Sequence, residues 1–228
     1  MDIKFIQFKH PFTALVAGPS GSGKTYFVRQ LLERWDVHFH GIKASKLKVS
    51  WCHGQDQYIY SHPIGKLVQE NYFEGLISEE DIDNHKPHVI VIDDLMNEIS
   101  GKKSVSNLFT KGSHHKNISV IFIVQNFFHK GLEMRTISLN SHYLNLMKNA
   151  RDKSQISALA RQLYPSNSKF FIEAYNDATK AAYGYISVDL KPDTPDKYRV
   201  RTRILTQEIK DLNIKSYLAP IIYMPKNV

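Results

Sequence analysis

Gly18-Pro19-Ser20-Gly21-Ser22-Gly23-Lys24-Thr25 satisfies the phosphate-loop pattern G-x-x-x-x-G-K-[ST]. Its flanks are the ones that pattern needs. The apolar run over residues 12–17, Phe-Thr-Ala-Leu-Val-Ala, reads as a buried strand entering the loop. Phe27, Val28, Leu31, Leu32 and Trp35 then recur at helical spacing, which predicts a helix over 23–35. Strand, glycine-rich turn and helix start together make a polyphosphate cradle. The glycines let the backbone curl without side-chain clashes, the freed N–H groups converge, and the helix N-terminus adds a favourable field. In that arrangement Gly18 through Thr25 hold the phosphates, Lys24 reaches the β- and γ-phosphates, and the Thr25 hydroxyl ligates Mg²⁺.

Outward from the loop, further apolar runs predict the rest of a sheet. Residues 88–92 (His-Val-Ile-Val-Ile) and 118–124 (Ile-Ser-Val-Ile-Phe-Ile-Val) suit central strands covered on both faces. Residues 47–52, 143–147 and 184–190 read as additional strands. Helices are expected at 64–73, from Ser78, at about 102–111, from an Asp152 cap to just before Pro165, and from a Ser166 cap through Phe170, Phe171, Ala174 and Tyr175. Strands alternating with helices give an α/β fold with three layers and a mostly parallel central sheet.

Two of the strands end in groups a phosphate loop requires. Asp93 and Asp94 close the run Val89-Ile90-Val91-Ile92. Asp93 is placed to hold Mg²⁺ through water, and Asp94 to polarise a lytic water. Gln125 closes the run ending at Val124, where a side-chain amide can bond both the terminal phosphate and the water.

Bulk properties narrow the class. A chain of 228 residues with 42% hydrophobic residues suits one α/β domain with a substantial core, optionally with a short extension. A net charge of +8 favours a polyanionic partner such as nucleic acid, and a generally basic surface is the plain alternative. The single cysteine, Cys52, excludes an internal disulfide and reads as a small core residue. No run approaches the ~18 apolar residues of a membrane span, and the Met1-Asp2-Ile3-Lys4 start lacks a signal-peptide layout. A soluble, intracellular protein without membrane contact is expected. Among the aromatics, Phe8, Phe12 and Tyr26 can either stack on a nucleobase or fill the core.

The Pro-rich piece Lys191-Pro192-Asp193-Thr194-Pro195 marks the clearest junction. Beyond it Lys197, Arg199, Arg201 and Arg203 recur with period two, which in one strand makes a basic ribbon suited to tracking phosphates or to shielding a sheet edge. Residues 1–205 are assigned to a P-loop ATPase domain and 206–228 to a C-terminal tail.

Three apolar strands ending in the loop, in Asp93-Asp94 and in Gln125 resemble the series found in the FtsK–HerA group of additional-strand (ASCE) P-loop motor ATPases. The closer similarity is to viral genome-packaging ATPases of the poxvirus type, especially those of Polinton/Maverick elements and adintoviruses. It rests on GPSGSGKT (18–25), VIVIDDLM (89–96), HHKNISVIFIVQNFF (114–128), RTISLNSHY (135–143), NARDKSQISALARQLYP (149–165) and YGYISVDLKPDTPDKYRVRT (183–202), and spans roughly residues 10–205. The resemblance implies a RecA-like sheet, ATP with Mg²⁺, and a homo-oligomeric ring that moves double-stranded DNA into a preformed capsid. It also implies capsid or portal-vertex proteins as partners and work at the host-cell site of virion assembly, nuclear or cytoplasmic. One departure is Asp94, where cellular members of the group carry a longer glutamate. A ring motor also needs a cation from the neighbouring subunit, and Arg135 and Arg151 are its candidates, Arg151 having the better context at a strand end just before the Asp152-capped helix. Two other functions fit a phosphate loop in a chain of this size: a nucleotide or nucleoside kinase, and a nucleotide-gated scaffold with little turnover.

Overall fold

The structure is a computed structural model that describes residues 6–54, 64, 68–96, 103–127, 132–205 and 220–225. Its apolar runs lie side by side in a nine-stranded sheet. In chain order the strands are β1 (Phe8–Lys9), β2 (Thr13–Ala17), β3 (Phe39–His40), β4 (Lys48–His53), β5 (Gln69–Glu74) and β6 (Val89–Asp93). They continue with β7 (Ser119–Val124), β8 (Tyr143–Met147), β9 (Tyr185–Asp189), β10 (Val200–Thr202) and β11 (Ile221–Tyr223). β1 and β3 pair with each other, and the large sheet runs β11-β10-β9-β8-β2-β7-β6-β4-β5. From β8 to β5 all neighbours are parallel. β9, β10 and β11 extend that block in antiparallel fashion. β7 enters between β2 and β6, so the strand leading to Gln125 separates the phosphate-loop strand from the strand ending in Asp93.

Side chains along a strand alternate between faces, and here both faces are covered. Leu15, Ala17, Ile90, Ile92 and Phe122 join one apolar cluster, under the helices Leu132–Leu139, Ser154–Leu163 and Ser168–Ala178. Ala14, Val16, Val91, Ile121 and Ile123 join the other, under α1 (Lys24–Glu33) with its Phe27, Val28, Leu31 and Leu32. Three layers result. β2, β6, β7 and β8 are buried along their whole length. Each large aliphatic side chain so enclosed contributes about 1.5–3 kcal/mol, which fixes the strand tips firmly enough to carry a site.

Several local expectations are corrected. The helix expected at 64–73 is a strand in its described part: Gln69–Glu74 forms the parallel edge β5. The helix near 102–111 is interrupted, since Lys103–Asn107 leads into a π-helical turn at Leu108–Gly112 and then Ser113–Lys116. Asn167 rather than Ser166 caps the helix Ser168–Ala178, accepting from the Phe170 amide.

The basic ribbon does not form. Lys197 lies in a 3-10 turn, Asp196–Tyr198, with its ammonium 5.0 Å from the Tyr198 ring centre. Arg199 is tied to Asp196 and to the carbonyls of Asp189 and Lys191. Arg201 is 1% exposed, pairs with Asp189 at 3.3 Å and donates to the Ile6 carbonyl at 2.8 Å. Residues 221–223, placed by the sequence reading in the tail, pair as β11 with β10. No helix among the described residues is long and apolar enough to cross a membrane.

Candidate active site

The loop leaves β2 at Ala17 and is pinned at once, because the Gly18 amide donates to the Val124 carbonyl at the end of β7 (3.2 Å). Only glycine fits there: a Cβ on Gly18 would lie 2.7 Å from Cβ of Met147 and 2.9 Å from Oγ of Ser22. Gly21 and Gly23 take φ values of 74° and 89°, the left-handed region that side chains disfavour. The curl presents its N–H groups inward as an anion-binding concavity at the start of α1. The Ser22 hydroxyl in the same curl is buried without a hydrogen-bond partner, a donor suited to a phosphate oxygen.

Lys24, 9% exposed, folds back onto the loop and donates to the carbonyls of Gly18 (2.8 Å) and Pro19 (3.0 Å). Burial lowers the pKa of this ammonium, and the nearby Asp94 and Asp93 oppose the shift. The Thr25 hydroxyl donates to Oδ2 of Asp93 at 3.0 Å. Asp93, at the tip of β6, is 2% exposed. Burial pushes its carboxyl up to about 6, against the Thr25 hydroxyl and with help from the Asp94 charge. A hydroxyl and a carboxylate converging in this way are the hard oxygen donors that Mg²⁺ selects.

Asp94 turns the chain at φ 56°, a conformation aspartate tolerates better than most residues. Its amide donates to the Ile123 carbonyl (3.3 Å). Its carboxylate receives the Gln125 amide on both oxygens, at 3.0 and 2.8 Å. The acid and the amide from adjacent strand tips are therefore already in contact. Gln125 also lines a cleft of about 610 Å³ together with Ser20, Ser22, Asn149 and Arg151.

The structure thus brings together Gly18–Thr25, Asp93, Asp94 and Gln125. Arg151 lines the cleft of its own chain. Arg135 lies elsewhere, exposed on the helix Leu132–Leu139. Sequence reasoning missed Lys148, Asn149 and Tyr183, which line the same cleft. Asn149 shapes the turn that presents Arg151, its Oδ1 accepting from the amides of Arg151 (3.0 Å) and Asp152 (3.1 Å). The Asn-x-x-Asp spacing at 149–152 carried that signal, because Asn and Asp favour such side-chain-to-backbone turns. Tyr175 supports the same turn, donating to the Met147 carbonyl and accepting from the Asn149 amide. Taken together, the site offers an anion cradle, a cation, two adjacent acids and an amide, the set needed to cleave a phosphoanhydride with water.

The family model described as Poxvirus A32 protein matches residues 6–163 of the chain. No curated protein sequence matches it. Among solved structures, the chain is similar to the genome packaging NTPase B204 from Sulfolobus turreted icosahedral virus 2 in complex with ATP-gammaS. The two are 11% identical, with 84% of this chain and 96% of that one covered and a TM-score of 0.56. The DNA-packaging ATPase B204 from Sulfolobus Turreted Icosahedral Virus is 10% identical, with 85% and 97% covered and a TM-score of 0.55. At these identities the likeness is one of fold.

Proposed function

The chain belongs to the poxvirus A32 protein family, and from that premise we propose that it is an ATP-hydrolysing motor that moves double-stranded viral DNA into a preformed capsid. The observation that carries this reading is the meeting of three neighbouring strand tips. β2 leads through the loop to Lys24 and Thr25, β6 delivers Asp93 and Asp94, and β7 delivers Gln125, which reaches Asp94 and lines a cleft with Ser20 and Ser22 of the loop. B204, whose fold is shared, has been solved with AMP, ATP-gammaS and AMPPCP, and is described as a genome packaging NTPase.

The residues divide the work as follows. The loop amides and Lys24 hold the β- and γ-phosphates, Lys24 exchanging its bonds to the Gly18 and Pro19 carbonyls for phosphate oxygens. Thr25 and Asp93, whose side chains meet at 3.0 Å, are the residues that would hold Mg²⁺, which when bound would supply charge neutralisation on the phosphate oxygens. Asp94 accepts the proton of a water as that water's oxygen bonds to the terminal phosphorus and ADP leaves. Gln125 bonds both Asp94 and the terminal phosphate, so β7 feels whether the phosphate is present. Asp94 is one methylene shorter than glutamate, and its carboxylate is held by the Gln125 amide on both oxygens.

Arg151 acts on the phosphates from within its own chain, since it lines that chain's cleft. Arg135 does not line that cleft and is exposed on the helix Leu132–Leu139, so in a homo-oligomeric ring it is the arginine we assign to a neighbour's site. A net charge of +8 suits duplex DNA, the capsid or portal vertex is the docking partner, and the work takes place inside the host cell where virions assemble.

Translocation has a direct assay. A third strand annealed to a long duplex as a triplex is displaced by any protein that moves along that duplex. The wild-type protein should displace it with ATP and Mg²⁺, and Lys24→Ala should not. Displacement by Lys24→Ala, or ATP turnover without displacement by the wild type, would overturn the motor reading.

A further inference from the structure

We propose that Tyr26 and Tyr183 clamp the nucleobase between aromatic faces, and that this clamp accepts adenine and guanine alike. The inference rests on the phosphate-loop reading above and extends it to the other end of the nucleotide.

A second cavity, of about 470 Å³, opens beside the phosphate loop. Its lining is apolar and aromatic: Tyr26, Phe27, Met147, Tyr183, Tyr185 and Leu205. Gly23, the loop residue just before Lys24, lies in the same wall. Tyr183 lines both this cavity and the phosphate cleft. A Cβ on Gly23 would stand 3.3 Å from the Tyr183 ring. A nucleotide whose phosphates rest on the loop therefore has an adjoining apolar chamber large enough for its base, reached past Gly23 and Tyr183.

The two rings that frame the chamber are exposed, at 62% for Tyr26 and 67% for Tyr183. Large aromatic side chains left this open next to a ligand cleft are unusual for core or plain surface residues. Tyr183 is moreover held in position. It takes φ 58°, which bulky residues avoid unless their surroundings enforce it. The enforcement is visible on both sides. Gly184 is packed so closely that a Cβ would lie 2.6 Å from the Ala178 carbonyl oxygen. The Lys148 ammonium donates to the carbonyls of Lys180 and Ala181, and the Lys148 amide donates to the Gly184 carbonyl at 2.8 Å. The turn thus fixes the ring at the mouth of the chamber.

The lining also says how the base is read. Among the described lining residues the side-chain oxygen and nitrogen groups are tyrosine hydroxyls, and that of Tyr185 accepts from the amides of Ile204 and Leu205. Adenine and guanine differ in the donors and acceptors on their edges, whereas both present a π face. Stacking is tolerant of base identity, and described side chains that offer the base edges hydroxyls alone, each able to donate or accept, discriminate weakly between adenine and guanine.

The test compares Mg·ATP, Mg·GTP and Mg·tripolyphosphate binding to nucleotide-free protein by calorimetry. Wild type should bind ATP and GTP within about fivefold of each other, and both at least about tenfold more tightly than tripolyphosphate, which has no base. Tyr183→Ala and Tyr26→Ala should each weaken ATP and GTP by about five- to a hundredfold while tripolyphosphate stays within twofold. Tyr183→Phe should behave as wild type. The clamp is overturned if tripolyphosphate binds as tightly as ATP, or if the alanine variants leave ATP unchanged. It is equally overturned if they weaken tripolyphosphate as much as ATP, the mark of a distorted loop. ATP preferred over GTP by more than about twentyfold contradicts the tolerant reading of the base. Failure of both ATP and tripolyphosphate to bind the wild type is a different result, one that removes the phosphate loop itself and the clamp with it.

Discussion

A carboxylate taken out of water stays protonated to a higher pH unless a cation or hydrogen-bond donor compensates it. Asp93 shows the partly compensated case: burial lifts its carboxyl to about 6, while Thr25 and Lys24 hold it from rising further. Since the folded value lies above the unfolded value of 3.8, the sign follows. Below about pH 3 the group is protonated in both states and contributes nothing. As pH rises through 4 to 6 the unfolded chain ionises first, and folding stability falls by roughly 2–3 kcal/mol. In chelator and without nucleotide, Asp93→Asn should therefore be more stable than wild type at pH 7.5 and nearly equal to it at pH 4, as read by denaturant titration. A constant difference across that range would place the effect elsewhere. The neighbouring acid is tested by turnover. Asp94→Asn should bind ATP as wild type does and release phosphate about 10²–10⁴-fold more slowly, since it can no longer accept the water's proton. Loss of ATP binding in step with turnover would mean that Asp94 serves the loop's shape.

At the scale of elements, the corrected basic strand makes its own prediction. Arg201 and Asp189 form a buried pair at 3.3 Å that joins β10 to β9 and, through the Ile6 carbonyl, to the N-terminal segment. Arg201→Ala strands Asp189 in the core and should lower stability by about 3–5 kcal/mol. Arg201→Met with Asp189→Leu removes both charges and should recover most of that loss, as thermal or denaturant unfolding would show. The same strand marks a limit of sequence reading. Its period-two pattern is visible in the sequence, but the strand holds only Val200–Thr202, all buried, and Lys197 lies outside it in a 3-10 turn, because where β10 begins is set by its pairing with β9 rather than by the local pattern. β5 escaped for a related reason: a half-covered polar edge, Gln-Glu-Asn-Tyr-Phe-Glu, lacks the continuous apolar run that announced β2, β6 and β7. Those central strands, and the loop between β2 and α1, were legible because two-sided burial and φ-positive glycines leave direct marks on composition. Tyr183 left none, since a single aromatic in a turn acquires its meaning from Gly23 and Lys148, which are distant in sequence.

At the scale of the whole molecule, the two arginines separate chain from assembly. Subunits with Lys24→Ala have a dead site but an intact Arg135. Mixed with Arg135→Ala subunits, they should restore part of the ATPase activity, because some interfaces regain both groups. If Arg151 serves its own chain, as proposed, mixtures of Lys24→Ala with Arg151→Ala should stay inactive. Recovery with Arg151→Ala and none with Arg135→Ala would reverse the assignment.

The central claim is that one nucleotide, gripped by the tips of β2, β6 and β7, is cleaved in the service of moving DNA. Steady-state phosphate release with and without long duplex DNA tests it most directly. The account predicts stimulation by duplex that weakens as salt rises from about 50 to about 200 mM, and no release above background for Lys24→Ala in either condition. Release that ignores duplex at every salt concentration, or that survives Lys24→Ala, would contradict it.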